Sequence, residues 1–461
     1  MKYAGDLSLD NLKKAHFIGI GGIGMSGIAR LMLGLGYRVS GSDARESEIT
    51  RALAREGAEL HIGHSPRALR SPDVVVVSSA IKPDNPELRE AFRLGVPVVQ
   101  RALMLSALAE LKKTITVAGT HGKTTTTSMT AAALEAAGAD ATAVVGGIVK
   151  GAGSNLKLGR SEYLVAEADE SDGSFLYFSP LVTCVTNIDS DHLDHYGNME
   201  TLKAAFRAHL AKVPFYGMAV LCSDDPGIRE LLPGLKAPHL TCGLTPGADW
   251  TARDVKFGAA GAAYTAFYKG RRMGPVRLRL GGAHNVRNSL LALAAGCYLG
   301  FDFKKLAAGL WSFAGVKRRM DRLGAAEGVE FVDDYGHHPT EVKATLEAAR
   351  GLFPGRRLVV LFQPHRYTRT ALLYKDFGRA FACADRVYVA PVYAAGEKPL
   401  PGVNSGLILK QLLRHKARAA AFPGPLELMK ELKPGDVFLT LGAGDVWKLG
   451  EEIKLKLETL N

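Results

Sequence analysis

The feature that most constrains this fold is an apolar run that ends in a glycine-rich turn, and the chain carries three of them. Ala15 to Ile20 runs into Gly21-Gly22-Ile23-Gly24, Thr114 to Ala118 into Gly119-Thr120-His121-Gly122-Lys123, and Val437 to Leu441 into Gly442-Ala443-Gly444-Asp445. A short apolar run bounded by glycine reads as a buried strand, and glycine supplies the backbone freedom of a tight turn. The first two turns lead into clear helical sequence. Further apolar runs lie at Val74–Val77, Tyr163–Ala166, Val182–Val185, Leu358–Phe362 and Val387–Ala390, separated by helical stretches such as Glu341–Leu352. Strands alternating with helices predict an α/β protein with parallel sheets and helices on both faces. The stretch from Thr241 to Leu280 is rich in Gly, Ala and polar residues with short alternating segments. It reads as an antiparallel excursion.

A length of 461 residues sets a prior of roughly three domains. Boundaries fall near 113, just before the second glycine turn, and near 314, between Trp311-Ser312-Phe313 and the basic run at Lys317. The expected domains are 1–113, 114–314 and 315–461. Composition, at 47% hydrophobic and 23% charged, argues against a disordered or collagen-like chain. The net charge of +12 favours anionic partners. Its tightest clusters are only Lys317-Arg318-Arg319 and Arg271-Arg272, which favours phosphorylated small molecules over nucleic acid. Five widely spaced cysteines with no C-x-x-C pattern fit reduced thiols in a cytoplasm, with neither a disulfide framework nor a cysteine metal site. Lys13-Lys14 precede an apolar stretch, but glycines interrupt it as no secretory signal would tolerate. No run of 18 apolar residues exists, so no membrane helix is expected.

The strongest local signal is Gly119-Thr120-His121-Gly122-Lys123-Thr124-Thr125. Its glycines let backbone N–H groups point at phosphate oxygens, the Lys123 ammonium reaches the terminal phosphates, and the Thr124 hydroxyl suits a bound Mg²⁺. The following helix presents its N-terminus to the same anion. The loop is shorter than the usual G-x-x-x-x-G-K-[ST] form, since Val117 stands five before Gly122. Two acidic segments follow other strands: Glu167-Ala168-Asp169-Glu170-Ser171-Asp172, and Asn187-Ile188-Asp189-Ser190-Asp191-His192-Leu193-Asp194. Clustered carboxylates are costly without a cation, so Glu170 and its neighbours, with His192, are candidate metal ligands.

Gly19-Ile20-Gly21-Gly22-Ile23-Gly24 satisfies G-x-G-x-x-G, and Asp43 follows Gly24 by 19 positions, near the spacing of a ribose-binding carboxylate. Such a turn offers N–H groups to any diphosphate. It therefore supports a diphosphate nucleotide more strongly than a nicotinamide. Further along, His284, Asn285 and Asn288 open a Leu/Ala helix where amides and an imidazole suit an adenine, although Asn285 taken alone reads better as a helix cap. The basic run Lys317-Arg318-Arg319-Met320-Asp321 could supply a guanidinium to a transferring phosphoryl group. Asp333-Asp334-Tyr335-Gly336-His337-His338-Pro339 and Gln363-Pro364-His365-Arg366-Tyr367-Thr368-Arg369 each follow a strand. Open α/β sheets place ligands there, and Arg366 with Arg369 can clamp a carboxylate.

These motifs, in this order, resemble the Mur ligase family of peptidoglycan synthesis, and the resemblance covers essentially the whole chain. The Gly19–Gly27 segment is similar to the nucleotide turn of the alanine-adding member. The Asp333–Pro339 and Gln363–Tyr367 segments are similar to that member and to its tripeptide-adding relative. The resemblance implies three domains: a Rossmann-like one for the UDP substrate, a central P-loop one for ATP, and a Rossmann-like one for the amino acid. It implies ATP, UDP-N-acetylmuramate and L-alanine as substrates, joined through an acyl phosphate with Mg²⁺. Carried over by position, Gly19, Gly21, Gly22, Gly24, Ser42 and Asp43 serve the UDP substrate. Gly119, Thr120, Gly122, Lys123, Thr124, Thr125, His284, Asn285, Asn288 and Asp334 serve ATP. Thr124, Glu170 and His192 serve the metal, and His337, Arg366 and Arg369 the amino acid, with Lys123, Arg319 and His337 catalytic. Sibling ligases place a carbamylated lysine where this chain reads Phe206-Arg207-Ala208-His209-Leu210, and neither Lys203 nor Lys212 aligns with it, so no carbamate is expected. A nicotinamide oxidoreductase would leave Lys123, Glu170 and His192 idle. A P-loop motor would leave the first turn and Arg366/Arg369 idle. The tripeptide-adding relative is the serious alternative, and the sequence sets neither oligomeric state nor amine size.

Overall fold

The structure, a computed structural model, describes residues 9, 11–78, 80–147 and 155–459. The chain divides into two compact units, residues 1–248 with 291–309, and 249–290 with 310–461.

The first unit holds two sheets. One is formed by β1 (Lys14–Ile18), β2 (Arg38–Asp43), β3 (Glu59–Ile62), β4 (Val74–Val77) and β5 (Val98–Gln100), in the order β3-β2-β1-β4-β5. All its pairings are parallel. The order reverses between β1 and β4, so the first glycine turn, which follows β1, lies at the switch point where such sheets bind ligands. Ile18, Val75 and Val77 pack with Leu69, Leu88 and Ala91 on one face. The other sheet contains β6 (Lys113–Ala118), β7 (Thr142–Val144), β8 (Leu156–Lys157), β9 (Tyr163–Glu167), β10 (Val182–Val185), β11 (Met218–Cys222) and β12 (His239–Gly243). Its order is β12-β11-β10-β6-β9-β7-β8, parallel except for β7 with β8. The phosphate-type loop thus leaves β6 with both acidic segments beside it, one after β9 and one after β10.

In the second unit, β13 (Trp250–Gly258), β14 (Gly261–Tyr268) and β15 (Arg271–Leu278) pair antiparallel. The antiparallel excursion therefore begins at Trp250. Thr241–Gly243, expected within it, instead closes a parallel strand beside β11. A further sheet holds β16 (Asp321–Ala326), β17 (Val329–Asp334), β18 (Leu358–Phe362), β19 (Arg386–Val389), β20 (Ala419–Ala421) and β21 (Val437–Leu441), in the order β16-β17-β21-β18-β19-β20. It is parallel except at β16. Both faces are covered: Val437, Leu439 and Leu441 enter one core, while Phe438 enters the other with Phe331 and Leu361. Burial on both faces is why these strands read as continuous apolar runs. The third glycine turn also opens a helix, Val446–Thr459. All five cysteines are free thiols, and among the described residues no helix is long and apolar enough to cross a membrane.

A buried polar chain ties β6 and β10 to the helix Met199–Leu210. Thr116 donates to the Thr183 hydroxyl (2.9 Å), Thr183 Oγ1 lies 2.9 Å from His209 Nε2, and His209 Nδ1 lies 3.0 Å from the Phe175 carbonyl. A carbonyl only accepts, so Nδ1 carries the proton and Nε2 accepts from Thr183. His209 is fully buried. Burial, with Lys212 adding to it against the Phe175 hydrogen bond, pulls its pKa from 6.5 to about 4. The unfolded chain therefore binds this proton between pH 6.5 and 4 and the folded chain does not. This stability is complete above pH 6.5 and falls, by about 3 kcal/mol in all, as pH drops toward 4. The substitution His209→Asn keeps a donor for Phe175 and removes the titration. Its urea midpoint should change less over that window than the wild type's, and equal slopes would assign the acid lability elsewhere.

Candidate active site

In the first unit, the loop after β6 is built by close approach. Gly119 has φ +128°, and a Cβ there would collide with the Thr186 hydroxyl. Asn187 holds the loop from both sides, accepting from the His121 N–H (2.8 Å) and donating to the His121 carbonyl (2.9 Å). Thr120 N–H donates to the Asn187 carbonyl (3.1 Å), and Gly122, at φ +83°, opens the helix Lys123–Ala136. Lys123 Nζ lies 2.7 and 2.9 Å from the two oxygens of Glu170, a carboxylate with no exposed surface, and 3.8 Å from Asp169. Burial alone would lower the Lys123 pKa, but Glu170, Asp169 and Glu167 outweigh it and hold the ammonium protonated. Three of the other acidic side chains have partners of their own: Glu167 accepts from Gly146 N–H, Asp172 from Ser174 N–H, and Asp189 pairs with His121.

His192, at φ +58°, places Nε2 3.7 Å from Glu170 Oε1 and 3.8 Å from Asp191 Oδ2. Two ligands of one octahedral ion lie about 3 to 4 Å apart, so Glu170 and His192 fit a shared cation. Thr124, buried in the first helical turn, makes no side-chain hydrogen bond among the described residues and carries a hard oxygen. Of the acids that neighbour His192 in sequence, Asp191 lies near it and Asp189 pairs with His121, and the Asp194 side chain lies outside the described residues.

Sequence reasoning missed Tyr196. Its hydroxyl donates to the Glu170 carbonyl at 2.5 Å. Burial and the nearby carboxylates raise its pKa, so it stays a donor. Its only signal was position, four residues after His192 on a single helical turn.

The first glycine turn is shaped by β2. Gly19 and Ile20 N–H groups both donate to the Ser42 carbonyl (2.8 and 2.9 Å), and Gly21 N–H donates to Asp43 Oδ2 (2.9 Å). Ser42 reaches the turn through its carbonyl. Its fully buried hydroxyl donates to Glu87 Oε2 (2.7 Å), which also meets His16 Nε2 (2.9 Å). Asp43 likewise holds the turn from within.

In the second unit, Asp334 at the end of β17 is buried and accepts from Met320 N–H, Gly336 N–H and the Thr345 hydroxyl (2.8, 2.8 and 3.1 Å). Burial raises its pKa to about 6 against the pull of Arg319 and these donors. Its carboxylate thus fixes the loop that carries Arg319. Arg319 also stacks on Tyr335 (5.1 Å) and approaches Glu341 (3.7 Å). His337 Nδ1 lies 3.2 Å from the Tyr335 carbonyl and 3.3 Å from Glu341. The His337 and His365 rings are 5.6 Å apart, and His365 Nδ1 meets Arg369 Nη1 at 3.2 Å. His337 and Arg369 therefore join one cluster through His365, next to Arg366, whose φ of +66° opens the helix Tyr367–Leu373. Asn285 and Asn288 are buried, and Asn288 Nδ2 donates to Asn285 Oδ1 (3.4 Å) while Asn285 Nδ2 donates to the Gly281 carbonyl (2.8 Å). The His284 pKa is lowered to about 4 by burial, Arg287 and Arg319.

The first unit thus carries two glycine turns and a lysine–carboxylate–histidine centre, and the second a basic, imidazole-rich cluster. Comparisons with known proteins give the family. Residues 14–113 match the Mur ligase family catalytic domain, 117–296 the Mur ligase middle domain, and 318–444 the Mur ligase glutamate ligase domain. The UDP-N-acetylmuramate–L-alanine ligase of Endomicrobium trichonymphae is 49% identical, covering 95% of this chain and 97% of that one. The enzyme of the same name from Pelobacter propionicus is 50% identical, covering 97% and 98%. Among solved structures, UDP-N-acetylmuramate-alanine ligase from Thermotoga maritima aligns with a TM-score of 0.80 at 30% identity, over 97% of this chain and 100% of that one. A murein peptide ligase from Psychrobacter arcticus shares the fold, with a TM-score of 0.68 at 24% identity over 97% and 99%. The chain belongs to the Mur ligase family.

Replacing Lys123 by Ala should leave Glu170 without its counter-charge and a triphosphate without its cation. Phosphoryl transfer should fall by about 100-fold or more, while a UDP nucleotide still binds the first turn. Parallel loss of both in calorimetry and rate measurements would show that Lys123 serves the fold rather than the phosphates.

Proposed function

We propose that this chain joins L-alanine to the carboxylate of UDP-N-acetylmuramate, converting ATP to ADP and phosphate, as a step of peptidoglycan precursor synthesis. One observation carries the reading: relatives named for that activity are 49 and 50% identical along nearly the full length of both chains. We assign residues 1–113 to the UDP substrate, 114–314 to ATP and 315–461 to the amino acid. Nucleotide substrates and free thiols suit a cytoplasmic location.

The muramate carboxylate oxygen attacks the γ-phosphorus of ATP, the bond to the bridging oxygen breaks, and ADP leaves. Gly119, Thr120, Gly122 and Thr125 cradle the phosphates, and Lys123 and Arg319 stabilise charge on the transferred group. Thr124, Glu170 and His192 would hold Mg²⁺, which would neutralise phosphate charge. His284, Asn285 and Asn288 serve the adenine side. Asn285 and Asn288 act as a hydrogen-bonded pair, and Asp334 acts by fixing the Arg319 loop. The alanine carboxylate binds Arg366 and Arg369. Its amine attacks the acyl phosphate carbon and loses a proton, and the tetrahedral intermediate expels phosphate. His337 takes that proton: with Nδ1–H donating to the Tyr335 carbonyl, Nε2 of the neutral ring is a base.

ADP release should be measured with ATP, Mg²⁺ and UDP-N-acetylmuramate, comparing L-alanine with the L-Ala–D-Glu–diaminopimelate tripeptide. Release with alanine alone is expected. Release with tripeptide alone would keep the residue roles and change the amine. Release with neither would reopen the ligand of the first turn. In the same assay Arg369→Ala should raise the KM for alanine by about tenfold or more, with the KM for ATP little changed. Unchanged alanine kinetics would remove the clamp.

A further inference from the structure

We propose that Arg101 is a further binding residue of the first site, its guanidinium clamping the diphosphate of the nucleotide held on the first glycine turn. Resting on the reading of that turn as a diphosphate site, the inference adds a residue that no motif pointed to.

Arg101 opens the helix Arg101–Glu110 directly after β5, two strands away from β1 in the sheet. Its side chain reaches back to the glycine turn. A Cβ on Gly24 would collide with Arg101 Nη1 and lie only 3.1 Å from both Cζ and Cδ. The last glycine of the G-x-G-x-x-G pattern therefore makes room for a guanidinium in the first turn of the helix Ile23–Gly34.

The chemistry of that seat is one-sided. A guanidinium stays charged and carries five donors, and setting one against protein without an acceptor is costly. Other partly buried arginines here are matched: Arg30 by Glu56, Arg318 by Asp333 and the Gly442 carbonyl, Arg350 by Asp385, Arg357 by Asp436. Arg101 is also partly buried, yet among the described residues it makes no hydrogen bond or ion pair. The adjoining helix start has the same deficit. Its N-cap, Gly22, offers no side chain, and no acidic residue stands in its first turn. First-turn N–H groups lack intrahelical acceptors. Donors from the backbone and from Arg101 thus meet at one place. A diphosphate supplies the acceptors and the negative charge that both need, and arginine binds phosphate oxygens in bidentate fashion.

The test is calorimetric binding of UDP to the full chain, comparing the wild type with Arg101→Ala, Arg101→Lys, Gly24→Ala and the double variant. Arg101→Ala should raise the UDP Kd by about 10- to 100-fold, with Arg101→Lys between the two, and leave binding of ADP and of uridine unchanged. Gly24→Ala should weaken UDP by displacing the guanidinium, and adding it to Arg101→Ala should cost little more. Thermal melting of each variant at the wild-type temperature separates these losses from unfolding. Equal UDP affinity in the wild type and Arg101→Ala would overturn the clamp while leaving the site reading intact. An equal loss for uridine would move the contact to the nucleoside and also overturn it. A wild type that does not bind UDP would overturn the clamp together with the reading on which it rests.

Discussion

A charged lysine enclosed by protein must have a carboxylate, and in this molecule that requirement joins segments far apart in the chain. Lys123 opens a helix after β6, and Glu170 follows β9. They meet because β9 pairs with β6 in parallel register, Val117 opposite Glu167. On the other side β10 pairs with β6, Ala118 opposite Val185, which delivers Asn187 to the loop and His192 to Glu170. The strand order β10-β6-β9 thus assembles the phosphate loop, its brace and both proposed metal ligands at one sheet end. The Thr116–Thr183–His209 chain locks two of those strands together beneath it.

Most of the framework was legible because two-sided burial leaves an unambiguous trace. Val74–Val77, Val182–Val185 and Leu358–Phe362 coincide with strands, and the helix expected at Glu341–Leu352 begins only two residues earlier, at Pro339. The edges were less legible. β3 (Glu59–Ile62) and β5 (Val98–Gln100) are partly exposed and carry no apolar run of their own. Thr241–Gly243 looked like part of the antiparallel excursion because it adjoins a stretch rich in Gly, Ala and polar residues. Its parallel partner, β11, lies about 20 residues upstream, and no local pattern reveals that pairing.

The sites show the same division between what a motif names and what packing decides. The glycine turns, Lys123, Glu170 and His192 were named by residue type and spacing. Which way a polar side chain faces was not. Ser42 and Asp334 sit in motif positions, but their oxygens point into the protein, to Glu87 in one case and to Met320, Gly336 and Thr345 in the other. Asn187 and Tyr196 have no motif, yet they hold the loop and Glu170. A buried polar atom must find a partner, and that partner is a property of the tertiary structure.

This accounting also explains how one carboxylate can serve two roles. In the structure Glu170 neutralises Lys123, so a lysine held for phosphate is never left as a lone enclosed charge. Under the proposed function, a triphosphate would bring its own negative charge to Lys123. Glu170, still enclosed and anchored at its carbonyl by Tyr196, would then need a new cation, and His192 stands 3.7 Å from it to complete a site for one. Under the proposed function the two ligands would be coupled by electroneutrality: a polyanion on Lys123 would free the carboxylate, and a divalent cation would replace the ammonium. A loop with Lys123 but no enclosed acidic partner would bind phosphate without that coupling. A carboxylate exposed to water would bind cations whether or not nucleotide were present.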